Sequence, residues 1–276
     1  MADELVWIDG ALVPGPEARV SVFDHGITVG DGVFETLKAV DGVPFAVRRH
    51  LDRLRRSAAA LGLMVPASDE ELREAMAGVL EAVPRPLARV RITVTGGVGP
   101  LGSDRGSGRP TTIVAAADLA PPAPTTAVCT VPWPRNERGA LVGVKSTSYA
   151  ENVVALAHAK ERGGSEALLP TTTGLLCEGT GSNVFLVLEG QLLTPSLASG
   201  CLAGVTRDLV IELTGAVEAD VPMDDLHRAD EVLLTSTGRD VQGVHRVDHR
   251  DLTAPGPVTR RAADALAELA ATDVDP

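Results

Sequence analysis

Between Asp118 and Ala127 the sequence reads DLAPPAPTTA. Pro121, Pro122 and Pro124 each fix φ and remove a backbone donor, so neither a helix interior nor a central strand runs through this stretch. It therefore acts as a boundary, with residues 1–117 before a linker of 118–126 and residues 127–276 after it. Each part is long enough to bury a core of its own, and each must supply its own set of elements.

The first part opens with antiparallel hairpins. LVWIDGALV is a strand, a DG turn and a second strand, and GVFETLKAVDGVPFAV repeats that layout with a second DG turn. In RRHLDRLRRSAAALGL, Leu51, Leu54, Ala58 and Leu61 recur at helical spacing, and Gly62 is placed to end the helix. SDEELREAMAGVLEAV starts with a capping serine or aspartate and acidic residues in its first turn, which predicts a second helix. LARVRITVTGG and TTIVAAA read as strands around the glycine-rich loop GGVGPLGSDRGSGRP. In the second part, helices are expected over NVVALAHAKERGG, GVTRDLVIEL and VTRRAADALAELAA. SEALLPTTTGLLCEGTGSNVFLVLEGQLLTP reads as successive strands, and ADEVLLTSTGRDVQGV as a strand running into a polar loop. The expected fold class is mixed α/β (α+β) in two domains.

A formal net charge of −12 repels nucleic acid and anionic membrane over most of the surface. No apolar run approaches the length of a membrane span, and the start MADELVWIDG lacks the basic-then-apolar order of a secretory signal, so a cytoplasmic protein is expected. Cys129, Cys177 and Cys201 are odd in number and widely spaced, as free thiols in a reducing compartment are. His245 and His249 stand four apart in GVHRVDHRDL, but that context reads as strand and turn, and no metal is expected.

Lysine is scarce: Lys38, Lys145 and Lys160 are the three in the chain, and arginine carries the remaining positive charge. A guanidinium is a poor nucleophile, whereas an amine attacks carbonyls. Lys38 lies in an alternating strand and Lys160 on a polar helix face. Lys145 follows the apolar ALVGV, which is expected to carry it as a strand end into the interior, where desolvation favours the neutral, nucleophilic amine. A carbonyl cofactor such as pyridoxal phosphate needs such an amine, donors for its phosphate and an anion against its ring nitrogen. Thr206 is placed to cap the helix after GVTRD, with the N–H groups of Val205 and Thr206 facing an anion, and Ser236 and Thr237 add hydroxyls. Each is also an ordinary cap or turn residue. Arg53 lies close to the apolar stripe of its helix, where it can point inward. Glu178 ends an apolar strand before a glycine-rich turn, either as a turn residue or as a buried partner for a cation.

Six ordered stretches, DGVFET, HLDRL, VKSTSYAENV, CEGTGSNVF, LAGVTRD and LTSTGRDVQGV, resemble the fold-type IV pyridoxal-phosphate enzymes, or class IV aminotransferases, from about Trp7 to Asp248. By this resemblance Lys145 is the Schiff-base lysine and Glu178 pairs with the pyridine nitrogen. Arg53, Val205, Thr206, Ser236 and Thr237 match phosphate-binding positions, and Leu202 matches the residue packed behind the ring. The resemblance also implies an N-terminal α/β domain, a C-terminal domain with a β-barrel-like core, and a homodimer with the cofactor between the domains.

The family includes branched-chain and D-amino acid aminotransferases, R-selective amine transaminases and 4-amino-4-deoxychorismate lyases. The D-amino acid enzymes carry an Arg-x-His pair after the strand matching RVRITVTGG, and a tyrosine where this chain has Phe34. Here that loop reads GGVGPLGSDRG without the pair. KSTSYAENVVALAHAK, CEGTGSNVFLV and SGCLAGVTRD are similar to bacterial sequences grouped with aminodeoxychorismate lyase, so a lyase releasing pyruvate and 4-aminobenzoate is expected. SYAEN departs from the Asn-Arg-Leu-Glu-Gln-like run of the well-known lyases, which leaves transamination as the alternative. Arg105, Arg109 and Arg239 are loop candidates for binding the substrate carboxylate of either reaction.

Overall fold

The computed structural model describes residues 4–276 and divides them into two compact units. One unit comprises the chain up to Ala120 together with Val144–Tyr149 and Asp273–Pro276, and the other comprises Pro121–Gly143 and Ala150–Thr272. Lys145 thus belongs to the first unit although it lies in the second half of the sequence.

The first unit is built on β1 (Leu5–Ile8), β2 (Ala11–Pro14), β3 (Gly32–Val40), β4 (Val43–Pro44), β5 (Leu87–Thr95) and β6 (Thr111–Asp118), with helices α1 (His25–Thr28), α2 (Val47–Ala60) and α3 (Asp69–Ala82). Its antiparallel sheet runs β2-β1-β6-β5-β3-β4. Leu51, Leu54 and Ala58 of α2 and Leu72 and Met76 of α3 bury against Val33, Leu37, Val90, Ile92 and Val114 of the sheet. The helix ends follow local chemistry. Ser68 and Glu71 close a reciprocal capping box on α3. Gly62, at φ +64°, lets Leu63 N donate to Ala58 O (2.8 Å) and ends α2. On β3 the residues Val33, Glu35, Leu37 and Ala39 alternate onto the core side, so Glu35 is a charge aimed at the helices.

The second unit contains β7 (Thr125–Thr130), α4 (Ala150–Glu161), β8 (Glu166–Pro170), β9 (Leu176–Gly179), β10 (Asn183–Leu188), β11 (Gln191–Pro195), α5 (Val205–Thr214), β12 (Val217–Ala219), β13 (Glu231–Ser236), β14 (Asp240–Val247), β15 (Arg250–Asp251) and α6 (Pro257–Thr272). The nine-stranded sheet runs β12-β11-β10-β13-β14-β7-β8-β9, with β15 on β14, and β7 pairs in parallel with both β14 and β8. β7 starts at Thr125, directly after Pro124, inside the segment that sequence reading assigns to the linker. Along β10, Val184 and Leu186 join one core cluster with Val128, Leu168 and Leu234. Phe185 and Val187 join another with Val210 and Ala262 of α5 and α6. A strand buried on both faces is apolar without alternation, which accounts for the run NVFLVL. Among the described residues no helix is long and apolar enough to cross a membrane.

Candidate active site

In the first unit the candidate nucleophile sits on a segment without regular structure. Lys145 is half-buried, not enclosed at a strand end as the apolar run before it predicts. Its backbone is held on both sides: Phe34 N donates to Lys145 O (3.0 Å), Lys145 N donates to Ser57 Oγ (3.2 Å), and Ser146 bridges Val33. Lys145 Nζ lies 4.4 Å from the centroid of the Phe34 ring, which also stacks edge-on with Tyr149 at 5.2 Å and carries Arg91 at 3.7 Å. The lysine is thus set against an aromatic wall by fixed backbone contacts. Lys38 is half-buried in β3 and Lys160 is exposed on α4.

Arg53 and Ser57 occupy one face of α2, a helical turn apart. Arg53 points inward, as its place near the apolar stripe predicts, and there it meets Glu35: Nε donates to Oε1 (2.7 Å) and Nη2 to Oε2 (2.8 Å). His50 Nδ1 donates to Glu35 Oε2 (2.7 Å), since an ionised carboxylate only accepts. All three side chains are buried. Burial alone raises the Glu35 carboxyl, but the charge and hydrogen bonds of Arg53, with His50 added, override it and hold the group well below the usual carboxylate range. Burial pushes His50 down, against the pull of Glu35, so its imidazole is neutral.

In the second unit Glu178, at the end of β9, accepts a hydrogen bond at Oε2 from Leu202 N (2.9 Å), and Arg135 Nη2 lies 3.5 Å from Oε1. Asn183 Nδ2 donates to Leu202 O (2.9 Å), and Asn183 stands opposite Thr235 in the β10–β13 ladder. A side chain at Gly204 would collide with Asn183 Oδ1, so only glycine lets the backbone approach there. Gly204, rather than Thr206, is the N-cap of α5, and Val205 and Thr206 are its first two residues. Thr206, at the second helical position, does not cap the helix. The first intrahelical bond is Asp208 N to Gly204 O (2.9 Å), so the N–H groups of Val205 and Thr206 precede the ladder. Ser236 ends β13 at a tight turn into β14, where Ser236 Oγ accepts from Arg239 N (3.2 Å), and Thr237 follows. Asn183 therefore gathers Leu202, the start of α5 and the Thr235–Thr237 turn around one strand pair, with Glu178 attached through Leu202.

Two loop arginines are already engaged. Arg105 pairs with both oxygens of Asp31, at 2.5 and 2.6 Å. Arg239 bonds Ser165 O (2.9 Å) and Gln242 Oε1 (2.5 Å). Asn183, Arg135 and Glu35 contact the candidate site residues Leu202, Glu178 and Arg53, and composition and spacing do not isolate them. Asn183 lies inside the quoted GTGSNVF, and Glu35 is the charge that interrupts the apolar side of an alternating strand.

In the second unit, N–H groups at an uncapped helix start, hydroxyls at a neighbouring turn, a glycine that lets backbone close in and a fixed carboxylate are groups that a phosphorylated carbonyl cofactor uses, and the first unit holds a backbone-pinned lysine of the kind it needs. Fold and site together define the class of fold-type IV pyridoxal-phosphate enzymes. The chain superposes on the crystal structure of a branched-chain aminotransferase from Thermoproteus uzoniensis with norvaline, with a TM-score of 0.91 and 30% identity over 96% of this chain and 94% of that one. With the T.th. branched-chain amino acid aminotransferase holding pyridoxamine 5'-phosphate, the TM-score is 0.90 and the identity 29%, covering 96% and 93%. D-alanine aminotransferase of Bacillus licheniformis is 29% identical over 95% of each chain. Residues 32–247 match the amino-transferase class IV family, and the chain belongs to it. It is a pyridoxal-phosphate-dependent enzyme. These relatives correct the preference for a lyase, because all three are aminotransferases and the alternative reading fits them. The stretches similar to lyase sequences contain Lys145, Glu178, Val205 and Thr206, whose expected roles are common to both reactions, so they do not discriminate between them.

Proposed function

We propose that this enzyme transfers the amino group of branched-chain L-amino acids to a 2-oxo acid. The observation that carries the reading is the setting of Lys145, with Nζ 4.4 Å from the Phe34 ring and its backbone held by Phe34 and Ser57. When bound, pyridoxal phosphate supplies an aldehyde that takes up an amine and a ring that accepts an electron pair. Lys145 is the amine that holds that aldehyde at rest. With that amine free, its Nζ would be the base that takes up and gives back a proton at the substrate, as transamination requires. Glu178 is the carboxylate that would hold the ring nitrogen's proton, and Leu202 is the residue that would support the ring. Arg53, the N–H groups of Val205 and Thr206, and the hydroxyls of Ser236 and Thr237 would hold the phosphate. The working assembly is a homodimer.

Amino transfer from L-leucine, L-valine and L-isoleucine to 2-oxoglutarate, measured beside D-alanine and beside pyruvate release from aminodeoxychorismate, tests the reading. The L-branched substrates are expected to lead. Pyruvate release faster than any transfer would return the enzyme to the lyases, and D-alanine leading would reassign its stereochemistry.

A further inference from the structure

We infer that Arg135 is a positioning residue for Glu178, keeping that carboxylate ionised and aimed so that the cofactor's ring nitrogen retains its proton. The inference rests on the proposed role of Glu178. Arg135 belongs to an irregular stretch, yet its backbone is anchored: Arg135 N donates to Pro170 O (2.7 Å), and the residue bridges Thr171 at the end of β8. From there the guanidinium reaches Glu178 Oε1 (3.5 Å) and donates through Nη1 to Asn152 Oδ1 of α4 (3.2 Å). Asn152 in turn donates to Thr180 O (2.5 Å), in the turn that follows Glu178. Glu178 is thus held at one oxygen by a cation and at the other by Leu202 N, and its side chain is 14% exposed.

Stability alone does not account for this arginine. Its Nε is buried without a hydrogen-bond partner, and its contact with Glu151 is long, 3.8 Å, to a side chain that is 81% exposed. The chemistry gives the charge a use. A proton between a carboxylate and a pyridine nitrogen goes to the more basic partner, and a guanidinium behind the carboxylate lowers the carboxylate's share. Without Arg135 the proton moves toward Glu178 and the ring becomes a weaker acceptor of electrons.

The test uses holoenzyme reconstituted with cofactor isotope-labelled at the ring nitrogen, whose magnetic resonance shift reports protonation directly. Glu178→Gln sets the reference for lost protonation. Arg135→Gln is expected to move the signal part of the way to that reference and to lower kcat on the order of tenfold, the effect of about one pK unit, with KM little changed. It is expected to add nothing in the Glu178→Gln background. A wild-type signal in Arg135→Gln, or an equal loss of kcat in both backgrounds, overturns the inference while leaving Glu178 in its role. A wild-type signal in Glu178→Gln overturns both. Should Arg135→Gln not fold, Arg135→His decides. Its ring signal should follow the imidazole's own titration near pH ~6.5, and indifference to that titration overturns the inference.

Discussion

Lys145 shows how little a residue's local sequence says about its surroundings. Its amine is useful because Phe34 and Ser57, remote in the chain, clamp its backbone and place Nζ over a ring. Lys145→Ala is therefore expected to lose the visible absorption of bound cofactor and all transfer, whereas Lys38→Arg and Lys160→Arg keep both. Spectra of the three purified variants check this. Cys177 and Cys201 directly precede Glu178 and Leu202 and are 1% and 2% exposed. Burial pushes the Cys201 thiol up to about 11 and drives Cys177 in the same direction. Since the thiolate is the reactive form, neither is expected to react with an aromatic disulfide reagent in the native protein near pH ~8, and both are expected to react after unfolding. Rapid titration of either thiol in native enzyme would show that the pocket opens.

At the scale of elements, the pairing of β3 with α2 governs acid stability. β3 alternation puts Glu35 on the helix side, and α2 answers with His50 and Arg53. The Glu35 carboxyl titrates lower in the folded protein than unfolded, so its contribution is present above the ordinary carboxylate value of ~4.3 and is lost as pH falls below it. His50 also titrates lower when folded, so the unfolded chain takes up its proton first and stability falls as pH drops through ~6.5. The two signs agree. The melting temperature is expected to fall from pH ~7 to pH ~4, and His50→Gln should remove the upper part of that slope. Glu35→Gln leaves Arg53 buried without its countercharge and is expected to cost about 3–5 kcal/mol in denaturant unfolding at neutral pH. A variant as stable as wild type would mean that Arg53 finds another anion.

For the whole molecule, the homodimer reading has a surface to test. In the first unit Val22, Phe23, Ile27, Val98 and Leu101 are 50–75% exposed, and Gly99 N donating to Phe23 O (3.2 Å) holds the two loops together as one apolar patch. The proposed homodimer would account for the patch if a second copy of the chain covers it. Light scattering at micromolar concentration is expected to give twice the chain mass of 28.6 kDa, and Phe23→Ser with Ile27→Ser to lower it toward one chain. A wild-type protein with the mass of a single chain would refute the dimer.

The sequence by itself determined whatever rests on short-range physics. Pro121, Pro122 and Pro124 end one sheet, the leucine spacing builds the inner face of α2, Ser68 and Glu71 start α3, and Gly62 stops α2. The six motifs also carried the family, which the match over residues 32–247 shows. Tertiary structure decided what depends on which strand lies beside which. It placed Val144–Tyr149 in the first unit, set Glu35 under Arg53, spent Arg105 on Asp31, and brought Arg135 to Glu178 across 43 positions of chain. A charged side chain has no periodic signature that names its partner. Its partner is chosen by the sheet register and by the high cost of burying either charge alone, and both exist only once the chain has folded.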